Sequence, residues 1–149
     1  MNTPREVIYQ TIFNQLKEAV VTPLNFKTAS RRLVAWDKVD PSQQPALYQT
    51  QKSEVATVGG RGMPTKWDLD IDVTLYVNAG NDENLIPSSY LNPAVDIIEG
   101  LFPGAATSTY QTLGIPGVQE IRIQGEVIYY EGLLGAQAVC LIPIHIIAT

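Results

Sequence analysis

From Trp67 to Asn78 apolar and polar residues alternate: Trp67, Leu69, Ile71, Val73, Leu75 and Val77 against Asp68, Asp70, Asp72, Thr74, Tyr76 and Asn78. A period of two predicts a long strand with one buried face. Such a length suits a sheet covered on one side and wet on the other. A second segment, Gln137 to Ile147, is apolar on both alternating faces, with Val139, Leu141 and Ile147 on one and Cys140, Ile142, Ile144 and Ile146 on the other. That pattern places it in the middle of a sheet or under a partner.

Two stretches change period. Ile8, Ile12, Leu16 and Val20, with Tyr9 and Phe13 beside them, form the stripe of a helix to about Ala19. Its start reads as a capping box, with Thr3 as cap, Pro4 at the first helical position and Glu6 completing the box. Leu91, Val95, Ile98 and Phe102 predict a second helix, capped by Ser88 or Ser89 and stopped by Pro103-Gly104. Pro93 falls early enough to be tolerated.

Further strands are predicted over Phe26 to Trp36, Ala46 to about Lys52, and Val118 to about Tyr130. Pro41-Ser42-Gln43-Gln44-Pro45 breaks the chain between the first two, and a Gly-, Ser-, Thr- and Pro-rich loop precedes the third. Ser53 to Pro64, containing Gly59-Gly60-Arg61-Gly62, reads as a long flexible connection, and Glu131 to Gly135 as a turn. The order is α-β-β-β-α-β-β: an α+β class fold, a mainly antiparallel single sheet with two helices packed on one face.

With 149 residues, the chain is expected to form a single domain spanning 1–149. A net charge of −5 argues against a surface that grips nucleic-acid phosphates. Its one cysteine, Cys140, excludes an internal disulfide and fits a reducing compartment. The first residues lack the pattern of a signal peptide, and no apolar run reaches membrane-spanning length, so a protein made in the cytoplasm without a membrane partner is expected.

Candidate chemistry is sparse, and no enzyme, cofactor or metal site is expected. His145, the only histidine, lies between Ile144 and Ile146 and reads as a hydrogen-bonded structural residue. Cys140, in an apolar strand, reads as a small hydrophobe with a high pKa. Asp68-x-Asp70-x-Asp72 has the spacing that opens a calcium loop, but Val73 and Ala79 stand where that loop needs glycine and glutamate. On a strand the three carboxylates share one face, either as a solvated surface with dispersed counterions or as an acidic wall. Gly59-Gly60-Arg61-Gly62 lacks the ending of a phosphate-binding loop and reads as a surface connection or a flexible contact. Arg31-Arg32 reads as half of an ion pair within or between subunits.

Short ordered segments carry a resemblance along nearly the whole chain: Pro4-Arg5-Glu6, Ser30-Arg31-Arg32-Leu33, Gln44-Pro45-Ala46-Leu47, and Lys66-Trp67-Asp68-Leu69 leading into Leu75-Tyr76-Val77-Asn78. It continues in Leu91-Asn92-Pro93, Asp96-Ile97-Ile98-Glu99, Gln111-Thr112-Leu113-Gly114, Glu131-Gly132, Gln137-Ala138 and Ile142-Pro143-Ile144. In these the chain resembles the tail terminator (tail completion, minor tail protein U-like) family of long-tailed bacteriophages. The resemblance implies a structural virion protein at the head-proximal end of the tail. It implies a hexameric ring that caps the tail tube, stops tube polymerisation and offers a head-tail joining surface.

The implied partners are further copies of itself, the tail tube protein, a head completion or connector protein, and double-stranded DNA passing through the lumen without specific binding. Gly59, Gly60, Arg61 and Gly62 are the expected subunit or tube interface, and Asp68, Asp70 and Asp72 an acidic lumen face. Alternatives are a head completion or neck protein on the portal side, or a small ligand- or metal-binding module.

Overall fold

In a computed structural model of the protein, which describes residues 1–103 and 111–149, the alternating segment forms the strand β3 (Thr65–Asn78). Around it lie α1 (Arg5–Val21), β1 (Thr28–Ser30), β2 (Ala46–Val58), α2 (Ser88–Leu101), β4 (Val118–Ile123), β5 (Ile128–Leu134) and β6 (Gln137–Ala148). The sheet runs β1-β2-β3-β6-β4, with β5 also on β6; among the described residues only the β1–β2 pair is parallel. This is the expected mainly antiparallel α+β fold, with one more strand because the single strand expected over Val118–Tyr130 divides into β4 and β5. Gly125, at φ +116°, lies in the break.

Register decides the two faces. Leu69, Ile71, Val73 and Leu75 of β3 stand opposite Ile146, Ile144, Ile142 and Cys140 of β6. All eight are buried in one core with Ile8, Ile12 and Leu16 of α1 and Leu91, Ala94 and Ile98 of α2. Both helices therefore cover the same sheet face, and β6 is central, as its doubly apolar sequence requires.

Four local expectations are corrected. Thr3 does not cap α1: Pro4 occupies the cap position without a side-chain bond, and the Thr3 hydroxyl instead donates to the Pro116 carbonyl. Neither Ser88 nor Ser89 caps α2; Pro87 precedes it, and the Ser89 hydroxyl donates to the Ile86 carbonyl. Both hydroxyls find carbonyl acceptors elsewhere. The helix stop expected at Pro103-Gly104 is met at Phe102, while Gly104 and the first part of the following loop lie outside the described residues.

The strand expected over Phe26–Trp36 survives only at Thr28–Ser30. Beyond it, the chain crosses the outer sheet face through short 3-10 turns at Trp36–Lys38 and Pro41–Gln43. The Tyr76 hydroxyl donates to the Val34 carbonyl, and Gln137 Nε2 to the Trp36 carbonyl. This segment thereby covers a second cluster of Val39, Ala46, Tyr48, Tyr76 and Val139. Conversely, Ser53–Val58, expected as loop, pairs with β3 as the outer part of β2, leaving a short turn over 59–64. Backbone pairing with the long β3 overrides the weak apolar pattern there.

Candidate functional site

The features expected to carry function lie along the β2–β3 hairpin and the outer face of the sheet. Arg5 Nε donates to Glu54 Oε2 at 2.6 Å, the Tyr9 hydroxyl donates to Glu54 Oε1 at 2.7 Å, and the Arg5 guanidinium stacks 4.5 Å from the centre of the Trp67 ring. This clamp fixes the base of the hairpin to the start of α1. Burial pushes Glu54 up, but the hydrogen bonds from Tyr9 and Arg5 and the charge of Arg5 outweigh it and hold the carboxyl below its ordinary value. Burial and the adjacent Glu54 carboxylate raise the Tyr9 phenol.

Past the clamp, the hairpin reaches outward. Val55, Val58 and Met63 are exposed large apolar residues, and Gly62 takes φ +83° in the turn. The sequence-predicted Gly59, Gly60, Arg61 and Gly62 form the tip, away from the packed core, as a turn with its own Met63-to-Gly60 backbone bond.

Asp68, Asp70 and Asp72 share the outer face, as their alternation requires, but not as an unbroken acidic wall. His145, opposite Asp70, places Nδ1 2.8 Å from Asp70 Oδ1 and Nε2 3.1 Å from Asp68 Oδ1. The imidazole thus bridges two of the three carboxylates on this face. Lys66 stands 3.5 Å from Asp68, Lys52 3.9 Å from Asp72, and the Ser53 hydroxyl donates to Asp70. Arg122 Nη1 lies 3.0 Å from the buried Glu120 on the same face. Carboxylates and cations thus alternate, which corrects the acidic-wall expectation: local pairing offsets the like-charge repulsion.

Candidate reactive groups are held in structural roles. Burial pushes the Cys140 thiol up to about 11, with a hydrogen bond from Tyr129 partly offsetting it. Arg31 pairs with Glu6 of α1, so this ion pair is within the subunit. Among the described residues no group of His, Cys, Asp and Glu is arranged to hold a metal ion.

No family model and no curated protein matches the chain. Solved structures do. One is a chain in the virion of a native gene transfer agent particle, with a TM-score of 0.59 and 10% identity, over 95% of this chain and 93% of that one. A second solved chain has a TM-score of 0.60 and 12% identity, over 99% of this chain and 96% of its own length. At these identities the likeness is one of fold, and it extends over the whole architecture.

Sequence reasoning missed the Arg5–Tyr9–Glu54–Trp67 clamp and the His145 bridge, because both depend on contacts between distant segments. It also missed the exposed strand residue Leu133 on β5, having assigned Glu131 to Gly135 to a turn. The apolar composition of 127–134 was the signal available.

Proposed function

We propose that this protein is a non-enzymatic structural subunit of a phage-like particle, a tail terminator that assembles as a ring on the head-proximal end of the tail tube. The carrying observation is the fold, matched over nearly the full length to a chain of a gene transfer agent virion. The ordered segments resembling tail terminators support the finer assignment. The reaching hairpin suits an assembling part.

In this reading the tail-facing surface of the ring repeats the contacts of a tube layer, while the head-facing surface lacks the edge on which another layer would grow. Polymerisation stops by shape, and the head-facing surface receives the connector. The outer sheet face carrying Asp68, Asp70 and Asp72 lines the lumen. Its interleaved cations leave only a mild negative potential, enough to disfavour adhesion of passing DNA without binding it.

Light scattering of the purified protein, alone and with isolated tail tubes, followed by imaging of tube ends, tests the assignment. A ring at one end of the tube is expected. A protein that ignores tubes and binds portal-containing heads instead is a neck protein, and one that binds neither defeats both virion readings. The lumen assignment fails separately if rings of Asp68→Asn/Asp70→Asn/Asp72→Asn assemble and deliver DNA as the unsubstituted protein does.

A further inference from the structure

Among the described residues both edges of the sheet are half covered, and the open halves lie at opposite corners. On one edge β1 pairs with Ala46–Tyr48 of β2, and from Gln49 to Val58 no strand among the described residues pairs with the side of β2 that faces away from β3. On the other edge, Pro103 bridges to Arg122 and the Ile121 amide donates to the Gln111 carbonyl, so β4 is flanked. Among the described residues β5 pairs with β6 alone. Unpaired strand edges present rows of amides and carbonyls ready to pair with another chain.

The two open halves are chemically complementary. Lys52, Glu54 and Lys66 are already paired with Asp72, Arg5 and Asp68, which leaves Arg61 as the charge at the hairpin tip, and residues 55–66 contain no carboxylate. From Ile123 to Thr149 the chain contains Glu126 and Glu131 and no lysine or arginine. Each half also carries exposed apolar side chains: Val58 is 72% and Met63 66% exposed on the hairpin, and Leu133 83% and Tyr130 43% on β5.

Strand direction agrees as well. β2 is antiparallel to β3, β3 to β6, and β6 to β5, so β2 and β5 run in opposite senses. A second copy in a similar orientation therefore presents its β5 antiparallel to the open part of β2.

We propose that the outer half of β2, with its basic hairpin tip, docks on the acidic β5 edge of a second copy of this chain, continuing the sheet head-to-tail. This rests on the ring reading above and specifies its interface. Two different patches on each subunit make the contact heterologous, the kind that closes into rings or runs on as filaments. The irregular register between Tyr130 and Leu134 confines regular pairing to the start of β5, which limits the contact to a short ladder framed by side chains.

Cysteine capture tests the pairing. Val58→Cys and Leu133→Cys place thiols on the two open halves at exposed positions, while native Cys140 is buried. Mixing the two single variants under mild oxidation is expected to give the crossed dimer in excess over either same-site dimer. Adding Arg61→Glu to the Val58→Cys chain is expected to reduce the crossed product, and adding Glu131→Arg to its partner to restore it. Same-site dimers equal to or exceeding the crossed product, or a crossed product indifferent to the charge reversals, overturns the proposal. If rings still form on tube ends while no crossed product appears, edge pairing falls and the ring reading stands. If Val58→Cys or Leu133→Cys instead captures the tube protein, the edge belongs to the tube contact and the proposal also falls.

Discussion

At the scale of single residues, Glu54 shows how one side chain ties three elements together. It accepts from Arg5 and Tyr9 of α1, sits on β2, and stands opposite Leu69 of β3. Glu54→Gln is expected to destabilise the protein by about 1–2 kcal/mol in urea unfolding near neutral pH, as charge-assisted bonds are weakened. Because the folded carboxyl is held below its ordinary value of 4.5, its contribution is present above that pH and is lost as pH falls through the lowered value. The same substitution is therefore expected to flatten the acid limb of the stability profile; an unchanged limb refutes the assignment. Cys140, buried with its thiol pushed up to about 11, is expected to resist thiol reagents until the protein unfolds. Fast labelling in native buffer is the contrary result.

At the scale of elements, the fold closes where the first residues, the start of β4 and the end of β6 meet. The Asn2 amide donates to the Thr149 carbonyl, and the Thr149 amide to the Gly117 carbonyl, each at 2.9 Å. Gly117 has φ +79°, and a Cβ there would stand 2.8 Å from the Thr149 oxygen and 2.9 Å from Asn2 Cβ. Gly117→Ala is thus expected to lower stability by more than about 1 kcal/mol, read as a fall in the thermal midpoint. In β6, Ile144 packs between the helices and the sheet, and Ile144→Ala is expected to cost about 2–5 kcal/mol. Arg61→Ala at the hairpin tip is expected to leave the unfolding free energy of the protein, from urea titration, within about 0.5 kcal/mol of the original. That pair of results separates the element that folds the subunit from the one that reaches beyond it.

At the scale of the whole molecule, a helix-covered inner face gives rigidity, and the two half-open edges are the surfaces through which the proposed assembly runs. Self-association through these edges is expected to weaken with rising salt, because the basic tip and acidic edge attract across solvent. Light scattering across ionic strengths checks this; a salt-independent mass points to a contact dominated by apolar burial.

The alternation of β3, the double apolarity of β6 and the helical stripes were legible in sequence because each follows from a local period that only one element geometry satisfies. They determined the fold class, the placing of Asp68, Asp70 and Asp72 on one face, and the core character of Cys140. Tertiary structure decided what no local period encodes. Register set His145 between Asp68 and Asp70, and pairing with β3 drew Ser53–Val58 out of the expected loop. Coverage of Tyr48 and Tyr76 drew 31–36 out of the expected strand. These outcomes depend on contacts between segments far apart in the chain, whose free energy appears only when the sheet has formed.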